Sequence, residues 1–490
     1  MKRPTPWGVA IVASAVAACA PGDAERRSAE TSALISNRNL DLLFMIDNSA
    51  SMALSQTNLL RNFPAFMNVL KDLPGGLPNI HVAVVSSDMG VAGAISTCSD
   101  TGDNGVFHFA PRGTCTSTTL QSGATYISNV GGVANYTAPD IATVFSCMAA
   151  LGQEGCGFER PFASVLRALG ADGQPMPPEN QGFLRSDALL AIVMVSNEDD
   201  CSVPADIAPA FYSADSDQGL TSPPYGPVGE YRCYEFGHVC DGVRPPRFAP
   251  NGQEGDTVTL QNCSSSECDG VLTPVGEVAA RLKALKAAPA SEILVAAITG
   301  PVTPYQVRWR PSIVVGDTSC GMASCPWPQI EHSCTASDSS YANPAVRITQ
   351  LTTAFGVNGF ASSICDADFS PALQQIASRI GTLLAAGGGT GSPNGSIPTC
   401  ATTGFGGQGG ASDSTGAGGS SAGAGGVAGA ANNPGSDAAA GTGMPPGDDG
   451  CGCHFARVRA RLGTIALACA VGVLLARRRR RRRRGPSSRR

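Results

Sequence analysis

The stretch Leu40-Asp-Leu-Leu-Phe-Met-Ile-Asp-Asn-Ser-Ala-Ser-Met52 decides the fold of this 490-residue chain. Residues 42–46 form a continuous apolar run without helical spacing, which predicts a strand buried on both faces of a parallel sheet. The run ends at Asp47, which Ser49 and Ser51 follow at alternate positions. In open α/β sheets, ligands bind at the carboxyl ends of strands, where loops and helix N-termini converge. One carboxylate and two hydroxyls there predict a site for a hard cation: Mg²⁺ or Ca²⁺, with Mn²⁺ as a third option.

Further apolar runs predict more buried strands at residues 80–86, 189–196, 293–299 and, more briefly, 359–364. Apolar residues recur at helical spacing between and after these runs, at about 57–73, 161–169, 274–285, 343–355 and 370–383. Alternating strands and helices predict an α/β fold over residues 38–385, with a doubly wound, mostly parallel sheet. Three Gly- and Cys-bearing segments interrupt it at about 89–146, 202–272 and 305–340. We expect these to be long, disulfide-tied insertions, the first with at most short strands.

The Asp-x-Ser-x-Ser pattern after a hydrophobic strand resembles the metal-ion-dependent adhesion site (MIDAS) of von Willebrand factor type A (VWFA) domains. The resemblance covers about 38–385 and implies the same doubly wound fold. In that family a Thr from a second loop and an Asp from a third loop complete the metal shell. Here Glu159 of Gly157-Phe-Glu159 stands where the Thr would be, and Asn197 of Ser196-Asn-Glu198 stands where the Asp would be. The implied metal ligands are Asp47, Ser49, Ser51, Glu159 and Asn197.

These departures keep two carboxylates around the ion, but they distribute the charge differently. A directly bound Glu159 donates more charge to the ion than a Thr hydroxyl would, which weakens the ion's attraction for a partner's carboxylate. Glu198, Asp199 and Asp200 follow Asn197. They either add oxygen ligands, which favours Ca²⁺, or, for the two aspartates, serve as solvated loop charges or caps of the following turn. Asp88, at the end of the second strand, is either a ligand or a turn residue.

Residues 1–20 have the pattern of a secretory signal, with Lys2 and Arg3 before a short apolar segment. Residues 16–19 resemble a bacterial lipobox, which implies lipidation of Cys19; conventional cleavage after residue 20 is the alternative. Either route predicts export to an oxidising compartment. The fourteen cysteines between positions 98 and 400 are therefore expected to form disulfides. Close pairs are candidates: Cys147/Cys156, Cys263/Cys268 and Cys320/Cys325.

The C-terminal part predicts an anchor on a flexible stalk. Residues 386–449 are a Gly/Ala/Ser-rich tract that cannot bury a core, which predicts a disordered linker. Residues 450–490 contain Cys451-Gly-Cys453, a hydrophobic segment at 462–476 that predicts a membrane helix, and eight arginines at 477–484. Together these resemble a MYXO-CTERM sorting tail of myxobacterial surface proteins. The resemblance implies processing near Cys451 and a location at the outer membrane or cell surface, anchored there by lipidated Cys19, by the tail, or by both.

Charge and motifs narrow the function. Thirteen of the 34 basic residues follow position 456, so residues 1–456 carry 21 basic against 39 acidic residues, a net charge of −18. Such an acidic region argues against binding nucleic acid. The five histidines are scattered, and the GxSxG, HExxH and phosphate-loop motifs are absent, so we predict that the chain is not an enzyme.

The predicted function is a metal-dependent adhesion or binding module for a protein or extracellular-matrix ligand. One alternative is a disulfide-stabilised structural envelope protein whose cation only braces the fold. Another is an enzyme whose site lies within the insertions.

Overall fold

The computed structural model describes residues 38–91, 98–112, 115, 120–213, 219–222, 224–312 and 317–386. The predicted signal peptide, the linker after its first residue and the C-terminal tail lie outside the described residues, together with Cys19 and Cys451. Within the described ranges, no helix has both the length and the apolar character needed to cross a membrane.

The described residues form an α/β fold. The strands are β1 (Asn39–Ile46), β2 (Asn79–Ser86), β3 (Ile127–Val130), β4 (Val133–Ala134), β5 (Leu189–Ser196), β6 (His238–Cys240), β7 (Thr257–Leu260), β8 (Cys263–Ser265), β9 (Ile293–Thr299), β10 (Tyr305–Arg310), β11 (Trp327–Ile330), β12 (Cys334–Thr335), β13 (Tyr341–Ala342) and β14 (Gly359–Ser363). The helices are α1 (Ala53–Lys71), α2 (Ile141–Met148), α3 (Pro161–Ala168), α4 (Ala208–Phe211), α5 (Tyr231–Gly237), α6 (Val275–Lys283), α7 (Pro289–Glu292), α8 (Val346–Thr353) and α9 (Ser370–Ala385).

Seven strands form the central sheet, in the order β14-β9-β5-β1-β2-β3-β4. The pairs from β14 through β2 are parallel, whereas β3 and β4 add an antiparallel hairpin at one edge. The predicted mostly parallel sheet is therefore confirmed. The chain leaves β1 toward β2 on one side and later returns to β5 on the other. The strand order thus reverses between β1 and β5, which in doubly wound sheets is the position of the ligand crevice.

Helices cover both faces of the sheet. Helices α1, α2 and α9 pack on one face, where Phe44 of β1 meets Phe63 of α1 and Phe145 of α2, with ring centroids 5.6 and 4.9 Å apart. Helices α3, α6 and α8 pack on the other face, around residues such as Met45 and Ile192. Strand β1 is buried along nearly its whole length because both of its faces meet helices. This agrees with its unbroken apolar sequence.

The first insertion contains a helix that the prediction of at most short strands missed. Helix α2 begins after Asp140, whose side chain accepts a hydrogen bond from the Thr143 N–H at 2.9 Å. Ile141, Val144, Phe145 and Met148 then recur at helical spacing. The helical spacing of apolar residues spans only residues 141–148 and follows a Gly- and Ser-rich segment, so it did not predict a separate helix.

The second and third insertions are joined in space. Strand β10 of the third insertion pairs antiparallel with β7 of the second and with β11 of its own segment. Trp309 of β10 is fully buried in a small core beside this sheet, and its indole N–H donates to the Arg247 carbonyl at 2.9 Å. The two insertions therefore form one subdomain at the edge of the main fold.

Six disulfides join pairs of described cysteines: Cys98–Cys156, Cys115–Cys147, Cys201–Cys233, Cys240–Cys263, Cys320–Cys325 and Cys334–Cys365. The predicted pair Cys320/Cys325 is confirmed. The predicted pairs Cys147/Cys156 and Cys263/Cys268 are wrong, because folding brings more distant cysteines together. Cys98 and Cys156, for example, are 58 residues apart in sequence but 4.6 Å apart between their Cα atoms.

Candidate metal centre

The residues predicted to bind metal meet where β1 and β5 end. Ile46 and Val195 are paired in the sheet, and the Asp47 N–H donates to the Val195 carbonyl at 2.9 Å. Asp47 and Asn197 therefore follow neighbouring strands at their carboxyl ends. The sequence placed these residues correctly because the order of the chain determines which residue ends each strand.

Asp47, Ser49, Ser51 and Asn197 form one hydrogen-bonded group. Asp47 is 0% exposed, and its Oδ1 accepts from the Ser49 N–H at 2.8 Å. The Ser49 and Ser51 hydroxyl oxygens lie 3.1 Å apart, and the Ser51 hydroxyl donates to Asn197 Oδ1 at 3.2 Å. Asn197 is oriented by its Nδ2, which donates to the Tyr341 carbonyl at 3.2 Å. Oxygen atoms from two loops are thus close enough to share one ligand, and their role as metal ligands remains a prediction.

Glu159 enters from the loop before α3. Its side chain is 1% exposed, and the Ser87 hydroxyl donates to Oε2. The other oxygen, Oε1, is buried and accepts no hydrogen bond from a described donor, whereas the Glu159 and Asp47 carboxyl groups lie in hydrogen-bonding contact with each other. Burial, followed by the charges of Asp47 and Glu198, raises the pKa of Glu159 well above its usual value. Burial likewise raises the pKa of Asp47. Two buried carboxyl groups whose ionised forms disfavour each other would be stabilised by a cation between them.

The residue types suit a hard divalent cation. Two carboxylates, two hydroxyls and one amide oxygen are oxygen donors of the kind that Mg²⁺ and Ca²⁺ prefer. The described residues contain no group of three or more His, Cys, Asp or Glu side chains suited to a metal ion. Three of the five candidate ligands, Ser49, Ser51 and Asn197, instead offer uncharged oxygens. The buried contact between the Glu159 and Asp47 carboxyl groups is the structural observation that fits an additional positive group at this place.

Two serines that the sequence did not single out support the site. The Ser196 hydroxyl lies 2.8 Å from Asp47 Oδ2, to which it donates, and 3.1 Å from the Glu198 N–H, from which it accepts. Ser87, at the end of β2, contacts Glu159 in the same supporting way. Both follow the rule that led to Asp47, since each lies at the carboxyl end of a central strand. The sequence could therefore have identified Ser87 and Ser196 as candidate site residues from their positions at the ends of predicted strands.

Asp199 and Asp200 have other partners. Asp199 accepts from the Arg347 and Ile348 N–H groups at the start of α8, at 2.8 and 3.0 Å, and contacts His238 Nε2 at 2.8 Å. Asp200 is 0% exposed and pairs with Arg347 at 3.0 Å. The interpretation of these residues as solvated charges is therefore wrong, because Asp199 is buried against the N-terminus of α8 and Asp200 against the Arg347 guanidinium.

Two of the alternatives left open by the sequence are decided by hydrogen bonds. Asp200 accepts from the Ser202 N–H at 3.0 Å, so the expectation that it caps the following turn is confirmed. Asp88 accepts from the Gly90 N–H at 2.9 Å, and Gly90 has a positive φ of 63°. Asp88 thus acts as a turn residue in this structure.

No protein-family model matches the chain, and no curated protein matches it significantly. The class of protein is therefore defined by the fold and the site alone. The fold is an α/β domain with a mixed, mostly parallel seven-stranded sheet. The site is an oxygen-rich cluster at the point where the strand order reverses.

Proposed function

We propose that this chain is an exported, surface-anchored binding module of the von Willebrand A type that engages its partner through a divalent cation. The observation that carries this proposal is the convergence of Asp47, Ser51 and Asn197, with the buried Glu159 carboxyl in contact with that of Asp47. Export and anchoring rest on the sequence patterns at the two ends of the chain.

The proposed binding mechanism assigns a separate role to each layer of the site. Asp47 and Glu159, at the buried base, would supply the negative charge that holds the ion. Ser49, Ser51 and Asn197 would supply neutral oxygens. The bound ion supplies a Lewis-acid centre that attracts an oxygen donor of the partner. Ser51 is partly exposed, so the partner would approach from its side.

The charge of Glu159 also bears on the choice of partner. Its carboxylate neutralises more of the ion's charge than a neutral ligand would, so the centre attracts an anionic donor less strongly. We therefore expect the partner's donor to include neutral oxygens, such as amide carbonyls or hydroxyls, as well as carboxylates.

A structural role for the cation is the second candidate. Both oxygens of Asp47 already accept hydrogen bonds from the protein, and six disulfides stabilise the described part of the fold. In this case an ion would brace three loops without contacting a partner. Binding to cells or matrix would then survive removal of the metal.

Calorimetric titration of Mg²⁺, Ca²⁺ and Mn²⁺ into the oxidised full chain tests the proposal. We expect saturable binding that Asp47→Ala abolishes and that Asp72→Ala, at an exposed position after α1, leaves unchanged. Adsorption of the same proteins to cell-surface and matrix fractions, with and without chelator, then separates the two candidates. Loss of adsorption on chelation supports adhesion, adsorption that survives it supports the structural role, and the absence of cation binding by the folded parent overturns both.

A further inference from the structure

A cavity of about 280 Å³ lies beside the candidate metal centre. Glu198, the residue after the candidate ligand Asn197, forms part of its wall. Tyr341 and Asn343 connect the two sites, because the Tyr341 carbonyl accepts from Asn197 Nδ2 and the Asn343 N–H donates to the Asn197 carbonyl at 2.8 Å. The rest of the wall comes from the second and third insertions. A ligand at the metal centre would therefore have a pocket next to it.

Two glutamates in this wall lack a cationic partner. None of the ion pairs found among the described residues includes Glu198 or Glu230. Glu230 is oriented by Asn343, whose Nδ2 donates to it. His332 fixes Asn343 in turn, since its Nδ1 lies 2.8 Å from Asn343 Oδ1 and can only donate to it. The Glu230 carboxylate is thus held in place by neutral groups.

The arginines in the wall are already engaged. Arg247 Nε contacts both oxygens of Glu235, at 2.9 and 3.0 Å. Arg232 is buried and donates to the carbonyl oxygens of Phe211 and Gly226. Because these cations have acceptors of their own, the carboxyl groups of the cavity that lack a cation are Glu198 and Glu230, and burial raises the pKa of both. This disfavours an anionic ligand and favours a cationic one.

The remaining wall suits an organic cation more than a bare metal ion. Four aromatic side chains line the cavity: Tyr225, Tyr231, Trp327 and Tyr341. Aromatic faces attract ammonium and guanidinium groups and also pack against the apolar stems of such side chains. The volume lies just below the range of roughly 300–1,000 Å³ typical of small-molecule pockets, so the cavity suits a single side chain.

We propose that this cavity binds a cationic side chain, lysine or arginine, of the partner that the metal centre engages. The ammonium or guanidinium group would contact Glu198 and Glu230, and the aromatic residues would surround its stem. The link to the partner rests on the proposed function, whereas binding of a cationic side chain by the cavity does not require the metal.

The test uses the full chain with three small probes: Nα-acetyl-lysine methylamide, Nα-acetyl-arginine methylamide and, as the neutral control, Nα-acetyl-norleucine methylamide. Binding is followed by calorimetry, in EDTA and in Mg²⁺, and by the change in tryptophan emission that a Trp327→Phe variant should reduce. We expect a cationic probe to bind at least about tenfold more tightly than the norleucine compound, as for a charge-assisted contact. Equal affinity for the neutral probe would overturn the proposal.

Variants assign the binding to the cavity. Glu198→Gln and Glu230→Gln preserve side-chain shape, and each should lower the affinity for the cationic probe by about tenfold. The matched control, Glu277→Gln on the exposed face of α6, should leave the affinity for the cationic probe unchanged. Unchanged affinity in both cavity variants would contradict the proposal, as would displacement of the probe by Ca²⁺ in the Asp47→Ala protein. If the protein binds the probe in EDTA but binds no metal, the cavity proposal stands and the proposed metal function is rejected. If it binds metal but no probe, only the cavity proposal is rejected.

Discussion

At the scale of single residues, Glu159 is the candidate ligand that brings a buried carboxyl group where the von Willebrand A resemblance implies a neutral Thr. A neutral Thr would need no compensation in the absence of metal, whereas a buried carboxyl beside Asp47 is driven towards its protonated form. Glu159 therefore couples the candidate site to pH. An ion that binds there has to displace a proton, so metal binding and proton binding compete for the same oxygens.

Glu159→Gln should reduce the pH dependence of stability in the metal-free protein. Because the folded-state pKa of Glu159 is raised, the folded state holds this proton more tightly than the unfolded chain does. The stabilisation that this proton contributes is fully present below the unfolded pKa of about 4.3. It falls as pH rises from there through the raised folded-state pKa. We therefore expect the free energy of unfolding in EDTA to change with pH above about 4.3 in such a way that it falls less steeply in the variant than in the parent.

Urea unfolding at a series of pH values measures both slopes. The slope should not vanish in the variant, because burial raises the pKa of Asp47 in the same direction. Glu277→Gln is the control and should keep the parent's slope, since Glu277 is exposed. Parallel curves for the parent and the Glu159→Gln protein would show that Glu159 is not the group responsible.

The loop after β5 is the element that fixes the site in space. Asp200 reaches the start of α3, where it accepts from the Phe162 N–H at 3.0 Å, and Asp199 reaches the start of α8. Arg347 crosses between them, since it pairs with Asp200 and also donates to the Thr273 carbonyl at 2.6 Å. Carboxylates at helix N-termini are favoured by the unpaired N–H groups and the helix dipole. The loop that carries Asn197 is therefore held from two helices.

Arg347→Met should be strongly destabilising. Removal of the guanidinium leaves Asp200 fully buried without its cation, and breaking such a pair typically costs about 3–5 kcal/mol. The matched control is Arg281→Met, which breaks an exposed pair between Glu277 and Arg281 on α6 and should cost no more than about 0.5 kcal/mol. Urea unfolding of both proteins at neutral pH measures the difference. Similar losses in the two variants would contradict the structural role given to Arg347.

The insertions determine what surrounds the site at the scale of the whole molecule. The second and third insertions share the β7-β10-β11 sheet and together provide most of the cavity wall. Disulfides connect these segments to the main fold, and Cys334–Cys365 ties the third insertion to the residues just after β14. A surface made mainly of loops is thereby held in one arrangement beside the sheet.

Replacing a disulfide should destabilise the protein more when the loop that it closes is longer. Cys334 and Cys365 are 31 residues apart, so their joint replacement by Ser should lower the free energy of unfolding by about 3–4 kcal/mol. Cys320 and Cys325 are only 5 residues apart, and the same change there should cost about 2 kcal/mol. Urea unfolding of the two double variants makes the comparison. Equal losses, or a larger loss for the short loop, would exclude loop closure as the main effect.

The chain's sequence by itself determined the five parallel strands of the central sheet, the two long helices α1 and α9, and the end of β1 as the place of Asp47, Ser49 and Ser51. Apolar runs and helical spacing are local properties, and the order of the chain determines which residues end each strand. The same rule placed Asn197 at the end of β5, next to Asp47 in the sheet. The short helix α2 carried the same kind of signal over too few residues to stand out.

Only the tertiary structure decided the partners of those residues. The pairing of Cys98 with Cys156, the burial of Asp200 against Arg347 and the cavity between two insertions all join segments that are far apart in sequence. Such contacts depend on how long irregular segments fold back on the sheet, and no periodic pattern records this. The sequence therefore specified where polar side chains leave the sheet, whereas tertiary packing decided which partners they meet, as in the buried contact between Glu159 and Asp47.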